Sequence, residues 1–221
     1  MKLRLGVAIV AMMMATSSFS QIEKGSFLLG GSLGFTDSKI ENPNSFSLSS
    51  YQSQKEVSVT VSPNVSYFVI NKLSVGLMPS YTFSSTSVSY SSDLKTNTFS
   101  IGPVVRYYFP YKSWALFPEV SFSLGVSNIS DGYYNSPSSE IIVKNSAKIN
   151  SIKAGVGMTY FLTRNIGLEG KLFYQKTETT YDNLYLVRGV QTVYFADNTT
   201  SSIAFNLGVQ VYFSRKAAEV K

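Results

Sequence analysis

The chain repeatedly alternates apolar and small polar residues, and this pattern constrains its fold more than any other feature. In residues 57–84, valine, leucine, tyrosine and phenylalanine occupy most odd positions, whereas serine, threonine, asparagine and glycine occupy most even ones. Asn71 and Lys72 interrupt the alternation once, and it then resumes. Because successive side chains of a strand point to opposite faces, the segment predicts a β-hairpin with one apolar and one polar face.

Eight segments of the chain carry this alternation. They are the two arms of the hairpin and residues 25–36, 96–109, 114–128, 149–161, 166–177 and 202–213. None has a convincing helical period, so the sequence predicts an all-β fold. One apolar and one polar face per strand is typical of antiparallel sheets.

The connections between these segments alternate in length. Short ones occupy residues 71–72, 110–113 and 163–165, and long polar ones occupy residues 37–55, 87–95, 129–148 and 178–201. An up-and-down meander with short turns at one rim and long loops at the other explains this alternation. Within the last loop, residues 184–195 have the pattern of a small extra hairpin.

The N-terminal 20 residues have the anatomy of a secretory signal. Lys2 and Arg4 precede a short apolar run, and small residues then precede an expected cleavage site before Gln21. The apolar run is too short to cross a bilayer as a helix. We therefore expect a signal peptide at 1–20, a barrel at 21–213 and a short tail at 214–221. Removal of the signal takes away the charges of Lys2 and Arg4 and lowers the net charge from +6 to +4. This mild positive excess indicates solubility and no nucleic-acid partner.

The composition excludes several kinds of chemistry. The 221 residues include no histidine and no cysteine. Nucleophile arrangements that use histidine as the general base are therefore impossible, as are histidine and thiolate metal sites. We expect one domain without catalytic residues, a bound metal or a cofactor.

Two closed eight-stranded barrels fit the alternation, and they differ in which face lies outside. A soluble lipocalin-like barrel places its apolar face around an internal ligand, whereas a membrane barrel exposes that face to lipid. The polar face here is mainly serine, glycine, threonine and asparagine, whereas a water-exposed surface is usually about a quarter or more charged. Small polar residues suit a narrow lumen. We therefore predict an antiparallel eight-stranded transmembrane β-barrel, closed because an open edge is unstable in hydrocarbon.

Aromatic residues at both ends of the apolar face support the membrane interpretation. Towards the long loops they are Phe35, Tyr81, Phe83 and Phe99. Towards the short turns they form a predicted girdle of Tyr67, Tyr107, Phe109, Trp114, Tyr160 and Phe213. Such bands at the two lipid–water interfaces are typical of outer-membrane barrels.

Four stretches of the chain resemble the small outer-membrane β-barrels of the OmpA and OmpX type. They are GSFLLGGSLGF at 25–35, PNVSYF at 63–68, GPVVRYYF at 102–109 and GVGMTYF at 155–161. The resemblance covers the whole mature chain and implies a monomer in the outer membrane of a Gram-negative cell. We expect no peptidoglycan-binding domain of the kind that larger relatives carry. Residues 214–221 follow Phe213, which corresponds to the terminal aromatic residue that many relatives use in barrel assembly.

Five charged residues on the polar face are the first candidate site. They are Arg106, Glu119, Lys153, Glu169 and Lys171. They could gate a narrow pore, or they could neutralise one another inside a filled barrel, because buried charges need partners. We favour neutralisation, since an eight-stranded barrel leaves little room for water. Four prolines on the outward face, Pro63, Pro79, Pro103 and Pro118, predict no function.

The long loops are the second candidate site. They carry the tyrosines Tyr90, Tyr133, Tyr134, Tyr181, Tyr185 and Tyr194. Tyrosine suits recognition surfaces because it offers large contact area at low entropic cost. We expect a structural or cell-surface role with outer-membrane lipid, the barrel assembly machinery and an extracellular ligand as partners. The alternatives are a narrow channel for small or apolar solutes and a secreted soluble ligand-binding barrel.

Overall fold

In a computed structural model the chain forms a closed antiparallel β-barrel. The structure describes residues 22–40, 54–87, 94–136, 139–181, 185–186, 192–193 and 198–214. The expected signal peptide and nearly all of the expected tail lie outside these residues. Strand order around the barrel follows chain order, and pairing of the first strand with the last closes it. The predicted all-β meander is thus confirmed.

Nine strand segments form the eight strands of the barrel. These segments are β1 (Phe27–Ile40), β2 (Gln54–Ile70), β3 (Leu73–Ser87), β4 (Leu94–Tyr107), β5 (Phe109–Tyr111), β6 (Trp114–Ser136), β7 (Ser139–Phe161), β8 (Ile166–Tyr181) and β11 (Asn198–Phe213). Both β4 and β5 pair with β6, so together they form one barrel strand. The small extra hairpin also forms, from β9 (Tyr185–Leu186) and β10 (Thr192–Val193).

The prolines coincide with three interruptions in the hydrogen-bond ladders. The ladder between β2 and β3 is broken where Pro63 and Pro79 lie opposite each other. The ladder between β4 and β6 is broken at Pro103, and β4 separates from β5 opposite Pro118. Because proline has no backbone N–H, each interruption lies where a ladder donor is missing. These gaps give the outward prolines a physical role in the backbone that the sequence alone did not reveal.

The short turns lie at one rim of the barrel. Lys72 adopts the left-handed conformation in the first turn, with φ of 70°, and Lys112 does so in the second, with φ of 50°. The second turn therefore consists of Lys112 and Ser113 rather than the predicted residues 110–113. We assign this rim to the periplasm, because transmembrane barrels have short periplasmic turns and longer outer loops.

The long loops are shorter than the sequence predicts, because strands continue into them. The largest difference is at residues 129–148, which continue β6 and β7 as one hairpin up to the pair Ser136 and Ser139. Apolar alternation ends near Asn128, where the strand leaves the apolar belt, but backbone pairing needs no apolar side chain. The boundary of the alternation therefore marks the edge of the membrane and not the end of the strand.

The outward face of the barrel is apolar over a continuous belt. On β6 the exposed side chains run from Leu116 to Val126, a distance of roughly 25 Å for a strand tilted by about 40°. This height matches the apolar band of transmembrane barrels. The soluble barrel considered above is therefore wrong, because its apolar face would point inward. In the described part of the chain, no helix is long and apolar enough to cross a membrane.

Candidate functional site

The periplasmic end of the lumen is filled by a floor of apolar and aromatic side chains. Tyr108 lies at its centre, with its ring centroid 5.5 Å from that of Phe68 and 5.0 Å from that of Phe117. Opposite them, the rings of Phe161 and Tyr212 lie 5.2 Å apart. All five residues point inward and are buried. The interpretation of the inward face as small and polar is therefore wrong at this level of the barrel.

The first described residues complete this floor from below. Ile22 is buried in the same cluster. Its carbonyl oxygen accepts a hydrogen bond of 2.8 Å from Lys72 N, and Gly25 N donates to Phe68 O at 2.9 Å. Gly25 has a φ of 93°, which a residue with a side chain rarely adopts. The segment is thus folded back across the periplasmic mouth and held by the first short turn.

A layer of charged residues lies directly above the floor. The Arg106 Nε donates to Glu119 Oε2 at 2.6 Å, and its Nη1 lies 3.5 Å from Glu169 Oε2. The Lys171 Nζ lies 3.7 Å from the same Glu119 oxygen. All four side chains are completely buried. We call these four residues the charged layer.

Neutral polar groups tie the charged layer to the floor. Glu169 Oε1 accepts a hydrogen bond of 3.1 Å from Thr159 Oγ1, and Glu169 Oε2 accepts one of 3.0 Å from Gln210 Nε2. Below them, Arg106 Nη1 donates to Tyr108 OH at 3.4 Å, and its guanidinium carbon lies 5.4 Å from the centre of the Phe117 ring. The contacts link opposite walls of the barrel, because the residues involved come from β4, β6, β7, β8 and β11.

The structure brings four of the five predicted lumen charges together, and the fifth lies beside them. Lys153 points inward on β7 and is half-buried. Its charge interacts with Glu119, although the salt bridges within the charged layer do not include it. The fifth charge therefore faces the part of the lumen above the charged layer.

Sequence reasoning missed the floor and the neutral partners Thr159 and Gln210. A signal for the floor was nevertheless present, because four strands carry adjacent aromatic residues near their periplasmic ends. These pairs are Tyr67–Phe68, Tyr107–Tyr108, Tyr160–Phe161 and Tyr212–Phe213. Since neighbours in a strand point to opposite faces, each pair supplies one outward ring and one ring to the floor.

The predicted periplasmic girdle lies on the outer wall at this same level. Its ring contacts pair Tyr67 with Phe27 at 4.9 Å and Tyr107 with Phe109 at 5.0 Å. Trp114 contacts Tyr111 at 5.3 Å. Phe213 lies opposite Phe27 in the seam that closes the barrel, and Tyr160 lies opposite Trp114. Phe27 and Tyr111 belong to this band, and the sequence analysis did not include them.

Above the charged layer, the inward residues form a vestibule lined by hydroxyl groups. Four hydroxyl pairs join neighbouring strands at 2.8–3.1 Å: Thr60–Thr82, Ser62–Ser80, Thr98–Ser127 and Ser151–Thr177. The inward side chains become partly exposed towards the outer rim, as at Thr60, Thr98 and Thr177. The lumen therefore resembles a cup, with polar walls and a closed base.

Comparison with known proteins identifies the type of barrel. The family model described as the outer membrane protein beta-barrel domain matches residues 6–213. The chain belongs to this outer-membrane barrel family. It accordingly resides in the outer membrane, and its apolar belt faces lipid. A search of curated proteins found no match.

Solved structures of other outer-membrane barrels are similar to this chain. OprG of Pseudomonas aeruginosa is 12% identical, with a TM-score of 0.52, and the match covers 90% of this chain and 100% of that one. Neisserial surface protein A is 16% identical, with a TM-score of 0.46 and coverage of 87% and 100%. Outer membrane protein W of E. coli is 16% identical, with a TM-score of 0.44 and coverage of 86% and 99%. At these identities the likeness concerns the fold alone.

The chemistry available in the lumen is electrostatic. In the described part of the chain, no group of three or more carboxylate, imidazole or thiol side chains could hold a metal ion. The charged layer has two carboxylates, and both contact Arg106. The layer is therefore arranged to bridge the walls of the barrel and to close its base.

Proposed function

We propose that this outer-membrane barrel is a sealed, non-catalytic scaffold that presents its outer loops and hairpins for contacts at the cell surface. The feature that best supports this proposal is the double closure of the lumen by the floor and the charged layer. A solute would have to displace buried aromatic rings and break ion pairs between opposite walls. Breaking a buried ion pair costs about 3 to 5 kcal/mol, so an open resting pore is unfavourable.

The β6–β7 hairpin supports the surface part of the proposal. Among the described residues, β4 pairs with β6 as far as the pair Lys95 and Ser130, and β8 pairs with β7 as far as Ala147 and Tyr181. The hairpin continues beyond both neighbours to Ser136, about 20 Å further at the usual rise per residue. It thereby extends beyond the described residues of both neighbouring strands. Among the predicted loop tyrosines, Tyr133 and Tyr134 lie in this extension, opposite Ile142 and Ile141.

Conductance in planar lipid bilayers tests the closure. Purified barrel should give no steady ion current, whereas a variant with an opened base should conduct. Phe117→Gly and Tyr108→Gly remove two rings from the floor, Arg106→Ala added to them breaks the charged layer, and Tyr67→Gly on the outer wall provides the control. Steady single-channel steps from the unmodified protein would favour the narrow channel instead.

Shortening the hairpin tests the surface role. Residues 131–143 can be replaced by a two-residue turn, which leaves every pairing with β4 and β8 intact. Cells that display the full or the shortened barrel would be compared for sedimentation and for attachment to cell layers and to abiotic surfaces. We expect the shortened barrel to lose attachment but to migrate differently on a gel before and after heating, as a closed barrel should. Equal attachment by both, at equal surface amounts, would exclude a role for this hairpin.

The proposed partners follow from the same surfaces. The apolar belt contacts membrane lipid, and the β6–β7 hairpin meets an extracellular ligand. Phe213, at the closing seam with Phe27, is the proposed contact for the barrel assembly machinery. We propose a monomer, because β1 and β11 pair within one chain from Phe27–Phe213 to Phe35–Phe205 and so close the membrane-spanning wall without a free strand edge.

A further inference from the structure

The charged residues whose inward side chains the structure describes do not balance. Among the described residues whose side chains point inward, the cations are Arg106, Lys153 and Lys171, and the anions are Glu119 and Glu169. The set therefore has one positive charge in excess. An uncompensated charge in the interior of a protein is costly unless a counter-charge or hydrogen bonds stabilise it.

The excess charge lies on the vestibule side of the charged layer. Lys153 lies opposite Ser121 of β6 and Gln175 of β8. Its ammonium group forms no hydrogen bond or salt bridge with another described residue. Lys153 is half-buried and lies one inward position further from the floor than Gly155, the partner of Glu119, so it stands on the vestibule side of the charged layer.

Unused hydrogen-bond donors lie in the charged layer beneath it. The Nη2 of Arg106 and the Nζ of Lys171 are buried and have no hydrogen-bond partner, while Lys171 keeps its ion pair of 3.7 Å with Glu119, whose Oε1 also has no hydrogen-bond partner. Both residues are 1% exposed. Buried donors of this kind are normally satisfied, and an acceptor with negative charge suits a guanidinium and an ammonium group best. The hydroxyl groups of Ser121 and Ser151 line the same region of the lumen.

We propose that the lumen binds a small anion, a halide or a carboxylate, between Lys153 and the charged layer. The anion enters through the vestibule, since the floor closes the other end. It supplies the missing negative charge and accepts hydrogen bonds from cationic donors of β4, β7 and β8. A metal cation does not fit, because the region is already positive and both carboxylates contact Arg106. The proposal goes beyond the surface role and does not depend on it.

Chloride binding to the refolded barrel tests the proposal. The broadening of the chloride-35 NMR signal would be measured in zwitterionic detergent, in a buffer with no other small anion. We expect the unmodified barrel to broaden the signal and added acetate to reverse this competitively. Lys153→Gln should weaken binding about tenfold or more, the usual effect of losing a charged hydrogen bond. Lys153→Arg, which keeps the charge, should retain binding.

A matched control separates the lumen from the surface. Lys176 forms an exposed ion pair with Glu178 at 3.6 Å, so Lys176→Gln should leave chloride binding unchanged. Unheated gel mobility would show that each variant is folded. If Lys153→Gln does not fold, Lys153→Arg and acetate competition still decide the question. Broadening that is absent from the unmodified barrel, insensitive to acetate or equal in all variants would overturn the proposal.

Discussion

Replacing Glu119 by glutamine should destabilise the barrel far more than the same replacement at the surface. Glu119 Oε2 lies 2.6 Å from Arg106 Nε and 3.7 Å from Lys171 Nζ, and all three side chains are completely buried. Two unit charges about 4 Å apart attract by about 4 kcal/mol at an effective dielectric constant of 20. Breaking a buried pair costs about 3 to 5 kcal/mol, because the partner remains buried without its counter-charge. We therefore expect Glu119→Gln to lower the free energy of unfolding by about 3 kcal/mol.

Glu178→Gln is the matched control. Its partner is Lys176 at 3.6 Å, and both side chains are about half exposed. Water screens such a pair, so it contributes about 0 to 1 kcal/mol. A second comparison combines Glu119→Gln with Lys171→Met. The second substitution removes the lysine cation that Glu119→Gln leaves without its counter-charge. Because this double variant restores the original charge excess, it should recover part of the lost stability.

Urea unfolding in phospholipid vesicles measures these differences. Trp114 is the only tryptophan, so its fluorescence reports on the periplasmic rim, and unheated gel mobility reports on closure. With a denaturant slope of about 1 to 3 kcal/mol per molar, Glu119→Gln should lower the urea midpoint by roughly 1 to 3 M. A shift no larger than that of Glu178→Gln would refute the structural role of the charged layer. A double variant that is less stable than Glu119→Gln would refute the charge argument.

Three further predictions concern the backbone. Gly102→Ala should lower the free energy of unfolding by about 1 to 3 kcal/mol, because the added Cβ would collide with a carbonyl oxygen of β6. Gly170→Ala is the control: its Cβ would have its nearest atom at 3.9 Å, so the urea midpoint should hardly change. Pro63→Ala together with Pro79→Ala should restore two ladder donors, and hydrogen exchange should show both new amides protected; rapid exchange would contradict the assignment of the gap to the prolines. Lys72 has a φ of 70°, a left-handed conformation that costs residues other than glycine about 1 to 2 kcal/mol. Lys72→Gly should therefore raise the urea midpoint slightly. A lower midpoint would show that the lysine side chain itself stabilises the turn.

The strands and their orientation could be predicted because the two sides of the wall meet different environments. Outward positions such as Leu33 and Val120 face lipid, whereas inward positions such as Ser32 and Ser121 face the lumen. A one-residue change in pairing would reverse both faces, so the alternation specifies the wall strongly. For the same reason the inward direction of Arg106 and Glu119 could be predicted from the sequence.

The floor and the upper part of the β6–β7 hairpin could not be predicted in the same way. At Phe68 and Tyr212 the inward face is apolar because the rings pack against one another at the base, so both faces of the strand are apolar there and the alternation disappears. Beyond Asn128 both faces of the hairpin lie outside the membrane. Neither face then needs apolar side chains, so the alternation disappears there as well. Distances such as that between Arg106 and Glu169 depend on strand stagger, which the alternation does not specify.

The pairing of β1 with β11 also determines when the barrel can form. The first strand obtains its second neighbour only after the last strand has been made, and the floor needs both Ile22 and Tyr212. Contacts so distant in sequence make folding slow, and an unpaired strand edge cannot rest in hydrocarbon. Insertion and closure must therefore be nearly simultaneous, so a nascent chain without its last strand would have neither a stable wall nor a closed base.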